Sequence, residues 1–417
     1  MPLLRLLPPT AAPVTFSDVV SGVQARPADL DRFRLALESY LGTSRCYLAA
    51  SGRTALFLLL RELLRQSPPG RREVTLPAYT CPAIAKVALD LDLTLRLVDI
   101  SPETLAVADD ALAEAVSERT LAVIHVHPFG IPQPVARVAA LAHSAGAVLI
   151  EDAAQSLGAR LPPGDLPAAL GARQPALGGG PAAGSVGDFG LFSLGPGKPL
   201  SLGGGGVLSV NDPRWLDTAE RAWRGIRTPG PIASGLAVAR LGLTALAFNP
   251  TGWRLAAWAG LHRVGDAEAS WGYRVAGLPP AQAGSGLVEL PRLEACNARR
   301  RATATRLIAG LVRSRLGRVP VAAGGTEPIY LRLPVVASSE AVRDELHGRL
   351  WKAGVSAGRM YRRAIGEVFQ QAGTKPCPGA ETVARRLLTL PTHHYVSDED
   401  VDRIVRVFAQ MGGIEFW

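Results

Sequence analysis

Val148-Leu149-Ile150-Glu151-Asp152-Ala153-Ala154-Gln155-Ser156 opens as an apolar strand, ends in two carboxylates and passes into small residues. So short an apolar run, bounded by polar and small residues, suits a strand buried on both faces. Upstream, Cys46–Ala50, Glu73–Leu76, Leu95–Asp99 and Leu121–Val126 repeat the pattern, Ala147–Ile150 completes it, and amphipathic helical segments separate the runs. That rhythm is βαβ: parallel strands need helical crossovers, and the crossovers cover both faces of the sheet. The predicted fold is therefore α/β, with a mostly parallel sheet between helices. Sheets of this kind bind ligands at the carboxyl ends of their strands, which is where Glu151 and Asp152 fall.

Outward from this core, the spacing predicts an early helix near Leu30–Leu41. Leu161–Gly184, rich in Pro, Gly and Ala, reads as a mobile surface loop without chemistry. Ala233–Arg263 holds two apolar helical stretches around Asn249-Pro250, and Glu289–Val312 a long helix. Strand and helix alternate again over Glu327–Trp417. The expected organisation is a large domain over 1–285, with an apolar insertion at about 233–263, and a helix plus smaller C-terminal α/β domain over 286–417.

The 417 residues carry 45 Lys plus Arg against 36 Asp plus Glu, a formal +9. Only four of the cations are lysines: Lys86, Lys198, Lys352 and Lys375. The arginines are scattered without an aromatic-basic stripe, which argues against nucleic acid. Cys46, Cys81, Cys296 and Cys377 lie far apart with no CxxC pair, so neither a zinc site nor a disulfide framework is expected. The first residues lack a signal-peptide pattern and no apolar run reaches the roughly 20 residues of a membrane span, so a cytoplasmic protein is expected.

Three short stretches carry chemistry. In Ala50-Ser51-Gly52-Arg53-Thr54-Ala55-Leu56 a strand ends and an apolar helix begins, with Ser51 as N-cap; the free amides and dipole at such an end hold a phosphate. Asp152 follows a buried strand, where a carboxylate either keeps a pyridine nitrogen protonated or caps the next helix. Lys198, in Phe192-Ser193-Leu194-Gly195-Pro196-Gly197-Lys198, precedes the run Gly203–Gly206. Glycines there let backbone pack close to a planar group, and a lysine desolvated beside it bonds an aldehyde as an imine. A solvated surface lysine is the alternative.

Taken in order, SGRTAL from Ser51, PAYT from Pro77, HVHPFG from His125, EDAAQ from Glu151, GDFGLFSLGPGK ending at Lys198 and GGGGVLSVND from Gly203 closely resemble the DegT/DnrJ/EryC1/StrS aminotransferase family. The resemblance covers about Leu41–Asp212 and resumes from Gly286, with LPTHHYVSDEDVDRIV over Leu390–Val405 similar to the family's closing signature. It implies a fold-type I enzyme dependent on pyridoxal 5'-phosphate. Lys198 would then bond the cofactor aldehyde and shuttle the proton, Asp152 pair with the pyridine nitrogen, and Gln155 lie against the ring. Ser193 and the amides of Gly52 and Arg53 would hold the phosphate. His127 matches a position the family often keeps as His, with a structural role equally open. Arg359 and Tyr361, with Arg362, fall where relatives carry a substrate-facing segment. The implied reaction moves an amino group, usually from glutamate, to a ketosugar on a nucleotide, in a homodimer.

Two positions depart from the pattern. Cys81 stands where relatives carry an aromatic over the ring, and Trp271-Gly272-Tyr273-Arg274-Val275 lacks the family's Asn for a cross-subunit phosphate contact. The Ala233–Arg263 insertion, with Trp253, Trp258, Arg240, Arg254 and Arg263, suits either a dimer contact or a peripheral anionic-membrane contact. Two alternatives to the nucleotide-sugar reading follow: an aminotransferase for a lipid-linked ketone, and a non-catalytic binder of cofactor or sugar. The family's deoxygenating branch replaces the lysine by histidine, which Lys198 contradicts.

Overall fold

The computed structural model describes residues 5–11, 14–165, 179–260, 272–312, 314–370 and 375–412. Seven strands form the main sheet: β1 (Arg45–Ala49), β2 (Glu73–Pro77), β3 (Thr94–Val98), β4 (Thr120–Val126), β5 (Val148–Asp152), β6 (Phe189–Ser193) and β7 (Gly206–Val210). Their spatial order is β1-β7-β6-β5-β4-β2-β3. Only β7 runs against its neighbours β1 and β6; the pairs from β6 through β3 are parallel. The mostly parallel α/β sheet expected from the apolar runs is present, and β1 to β5 lie within a residue or two of their expected places.

Helical crossovers bury the sheet. In the Gly52–Gln66 helix, Ala55, Leu56, Leu59, Leu60 and Leu63 recur at helical spacing and enter the core with Val74, Leu76, Ile124 and Ile150. Each fully buried leucine of this kind contributes about 1.5–3 kcal/mol. A three-stranded sheet of β8 (Gly317–Arg318), β9 (Leu333–Ala337) and β10 (Leu387–Leu390), in the order β10-β9-β8, forms the C-terminal part. The helix expected over Glu289–Val312 runs Leu293–Leu311 and packs there with the Asp398–Gly412 helix through Leu307, Leu311 and Ile404.

The loop expected over Leu161–Gly184 needs correction at its flanks, while residues 166–178 lie outside the described ones. Leu161 N donates to Pro181 O at 2.8 Å and Ala183 N to Ala159 O at 2.9 Å, so the described ends are anchored and buried. Gly184 is glycine for packing: its φ is +90° and a Cβ would meet the Phe192 ring at 2.5 Å. The apolar insertion forms two helices, Pro231–Ala247 and Pro250–Trp258, bent by 92° at Asn249, whose side chain accepts from Thr251 N and Gly252 N. Among the described residues no single helix is long and apolar enough to cross a membrane.

Candidate active site

Because β7 runs opposite to β6 and β1, the carboxyl ends of β1, β4, β5 and β6 and the start of β7 share one edge of the sheet. Ala49 and Ser193 both pair with Gly206, and Val126 pairs with Asp152. A cavity of about 560 Å³ opens there, and it is lined by Gly52, Arg53, His127, Asp152, Gln155, Ser193, Lys198, Arg359 and Tyr361. The structure thus brings together every candidate residue of the sequence analysis, from five segments spread over more than 300 positions.

Ser51 builds the first part. Its Oγ accepts from Thr54 N at 3.1 Å and meets Thr54 Oγ1 at 2.9 Å, capping the helix and leaving the amides of Gly52 and Arg53 at its open end. A Cβ on Gly52 would meet protein only at ordinary contact distance, the nearest atom being Phe192 O at 3.4 Å. The fold itself therefore does not demand glycine there, and glycine leaves the turn open to close approach of an anion. Gly206 is the opposite case. A Cβ on it would lie 2.2 Å from Gly52 N and 2.3 Å from Ser51 C, so this last glycine of the run lets strand and turn backbones press together, while Gly203, Gly204 and Gly205 line the cavity. Gly206→Ala is expected to shift the Ser51–Gly52 turn, costing about 1–3 kcal/mol of stability as overpacking does. Phosphate affinity should fall with it, which calorimetric titration of the variant with pyridoxal phosphate will measure.

Two adjacent carboxylates of β5 face different partners. Glu151 is buried and accepts from the amides of Gly184 (2.9 Å), Val186 (2.6 Å) and Gly187 (2.6 Å), and its Oε2 lies 2.8 Å from His127 Nε2. Gln133 N donates to His127 Nδ1 at 3.0 Å, so Nε2 carries the proton towards Glu151. Burial alone would raise the Glu151 pKa, but the bonds from His127 and the amides outweigh it and hold the carboxyl below its ordinary value. Asp152 faces the cavity instead. Burial pushes its carboxyl up against the Ala154 amide and the charges of Lys198 and His127.

Lys198 follows a tight turn, its N donating to Gly195 O at 3.2 Å, after Gly197 at φ +72°. Desolvation lowers its pKa, opposed by Cys81 and Asp152. Lys198 is half-buried in the cavity wall, not a solvated surface lysine. Gln155 Oε1 accepts from Phe129 N at 3.2 Å, and its Nε2 faces Tyr361 Oη at 3.4 Å. Tyr361 N in turn donates to Tyr79 Oη at 2.5 Å, and the Tyr79 hydroxyl donates to Met360 O, tying the C-terminal part to the sheet edge.

Reasoning from sequence missed several residues. Tyr79 lies within the PAYT stretch, two residues before Cys81, but nothing in the sequence marks it as a bridge across 282 positions. Arg240 enters the cavity wall from the apolar insertion, and no motif there fixes the register. The described cavity wall holds five arginines, Arg53, Arg240, Arg359, Arg362 and Arg363, and one carboxylate, Asp152. Arg359 is partly engaged, donating to Asp344 at 3.2 Å. The variant Gly272–Val275 stretch runs along the anion cup: Thr54 Oγ1 donates to Arg274 O at 2.9 Å, and Tyr273 packs on Phe57 and donates to Asp90. Cys81 lines the cavity beside Pro82.

Known proteins share this fold and much of this sequence. A UDP-N-acetyl-3-dehydro-alpha-D-glucosamine 3-aminotransferase of Acidithiobacillus ferrooxidans is 29% identical over 362 residues, 86% of this chain and 82% of that protein. Among solved structures, Helicobacter pylori PseC, an aminotransferase involved in the biosynthesis of pseudoaminic acid, superposes with a TM-score of 0.76 at 16% identity, covering 98% of this chain and 100% of that one. Spr1654 of Streptococcus pneumoniae, solved in a PMP-form and a PLP-form, gives a TM-score of 0.75 for the PMP-form at 21% identity, covering 98% of this chain and 99% of that one. The profile of the DegT/DnrJ/EryC1/StrS aminotransferase family matches residues 21–409, and the chain belongs to that family of aminotransferases.

Proposed function

We propose that the protein uses pyridoxal 5'-phosphate to convert a ketone of a nucleotide-linked sugar into an amine, with glutamate as donor. The observation that carries this reading is the meeting of an open helix N-terminus, a buried acid and a desolvated lysine at one sheet edge. The residues fit the cofactor: Gly52, Arg53 and Ser193 for the phosphate, Asp152 for the ring nitrogen, Gln155 for the ring oxygen and Lys198 for the aldehyde. Bound there, pyridoxal phosphate supplies an electron sink for the carbon that loses its proton.

The chain's own residues do the rest. Lys198 Nζ, its pKa lowered by burial, is available as the neutral amine that takes up and returns the proton. Asp152, whose charge is costly while it is buried and unpaired, would keep the ring nitrogen protonated by pairing with it. His127 and Glu151 lock β4 to β5 beneath it. The surplus of cavity arginines supports an acceptor with a diphosphate, since guanidinium groups bind phosphate bidentately. The Acidithiobacillus relative's named substrate supports a UDP-linked 3-keto sugar as the first acceptor to try. The reading includes a homodimer and a reducing, cytoplasmic compartment, which the four free cysteines suit.

The test is incubation of the cofactor-loaded protein with UDP-linked keto sugars and glutamate, scored by mass spectrometry for ketone becoming amine and for 2-oxoglutarate. An amino sugar from a nucleotide-linked ketone is the expected product. Turnover of unlinked ketones alone would remove the nucleotide, and absence of both products would remove the reading.

A further inference from the structure

The Pro231–Ala247 helix is apolar on all sides except at Ser234, Arg240 and Thr244. Ala237, Leu241 and Thr244 are buried on its inner face, where Leu241 covers Gly203. Its outer face carries Ile232 (83% exposed), Leu236 (62%), Leu243 (65%) and Leu246 (69%), continued on the next helix by Leu255 (62%) and Trp258 (89%). Positions 232, 236, 243 and 246 share one face of a helix. A contiguous apolar surface of this kind marks a place where something docks.

Charge decides between the candidates. From Arg221 to Gly265 the sequence holds no Asp or Glu, while Arg221, Arg224, Arg227, Arg240, Arg254 and Arg263 fall within it. Arg221 is paired with Glu62 at 3.1 Å, but a second copy docked face to face about a two-fold axis would still set the positive charges of Arg224, Arg227, Arg240 and Arg254 against their own copies. An anionic bilayer surface offers both complements, acyl chains for the leucines and Trp258 and phosphates for the arginines. The helices measure about 25 and 14 Å at 1.5 Å per residue, each short of the roughly 30 Å hydrocarbon core, and their 92° bend suits lying in the interface rather than crossing it. Arg240, four residues after Leu236 and three before Leu243, lines the active-site cavity, so the apolar face runs up to its mouth.

We infer that the elbow formed by Pro231–Ala247 and Pro250–Trp258 docks on an anionic lipid surface and holds the mouth of the active site against it. The inference stands apart from the identity of the acceptor: flotation reads the surface whether or not any ketone is turned over.

The experiment is flotation of the full-length, cofactor-loaded protein with vesicles of phosphatidylcholine and phosphatidylglycerol, with phosphatidylcholine alone as control. The expected result is recovery with the anionic vesicles, at least about 10-fold weaker on the neutral ones, and release by high salt. Leu243→Ser, Leu246→Ser and Trp258→Ser together are expected to cut vesicle binding at least about 10-fold through lost apolar burial. The triple variant should keep its cofactor absorbance and thermal midpoint, since these side chains are exposed. Wild-type protein that stays with the soluble fraction overturns the inference, as does a triple variant that floats like wild type. A triple variant that falls from dimer to monomer in light scattering also overturns it and assigns the face to a subunit contact.

Discussion

Lys198→Ala is expected to lower kcat/KM by at least about 10³-fold, because one amine both holds the cofactor and moves the proton. No other lysine can take its place. Lys86 pairs with Asp90, Lys375 pairs with Glu114, Lys352 ends the Glu340–Lys352 helix, and none of them lines the cavity. Lys198→Arg should be as inactive, since it keeps the charge and loses the nucleophile. The stability of the cofactor-free protein should move the other way. A lysine whose folded pKa is depressed makes the charged form costly in the folded state, so removing it is expected to leave the thermal midpoint unchanged or raised near neutral pH. Loss of turnover with no loss of stability separates a catalytic lysine from a structural one. Borohydride reduction followed by mass spectrometry should find the pyridoxyl mass on Lys198 in wild type and nowhere in the variant. A variant retaining a tenth of wild-type activity would end the assignment, and cofactor binding without turnover in wild type would favour a non-catalytic binder.

The second large effect is expected at Glu151, which lies beneath the site and outside its cavity wall. Glu151→Gln keeps the shape but sets an NH2 donor either against the amides of Val186 and Gly187, which Oε1 accepts, or against the amide of Gly184 and His127 Nε2, which face Oε2. It also removes the charge beside His127. Breaking a buried, hydrogen-bonded charge network of this kind costs about 3–5 kcal/mol. The sign of the pH dependence follows from the depressed folded pKa of Glu151. Its contribution is present above the ordinary carboxyl range and is lost as pH falls through the folded value, when the folded carboxylate must take up a proton. The gap in thermal midpoint between wild type and variant should therefore be full near neutrality and narrow towards acid pH. A constant gap would show that packing, not ionisation, sets the effect.

The α/β fold could be read because its signal is local: β1 to β5 are short apolar runs, and each is followed by helical spacing such as Ala55, Leu56, Leu59, Leu60 and Leu63. The residues that line the cavity could be singled out for the same reason, since each candidate sits at the end of an apolar run, in an N-cap, a carboxylate pair or a glycine-flanked lysine. β7 could not. Gly206–Val210 follows three glycines, and its place beside β1 comes from pairing with residues about 160 positions earlier, which no local pattern carries. The same holds for Glu151 and for the Leu161–Gly184 flanks: a segment rich in Gly and Pro looks mobile until Gly184 is seen packed under Phe192 and donating to a buried carboxylate. Arg240 could not be placed because a nearly all-apolar helix gives no face to read.

The position of β1 bears on how the protein comes off the ribosome. This strand has one neighbour, β7, with Arg45 opposite Val210 and Ala49 opposite Gly206. The turn that follows β1 and bears the anion-binding amides therefore has no sheet to rest on until some 160 further residues have been made, several seconds or more of synthesis at about 5–20 residues per second. Meanwhile β2 to β5 can assemble in order from neighbours in sequence. On the proposed function, cofactor capture is a closing event: chains truncated before Gly206 are expected to hold Lys198 and Asp152 yet retain no pyridoxal phosphate, whereas chains carried past Val210 can support the turn proposed to seat its phosphate.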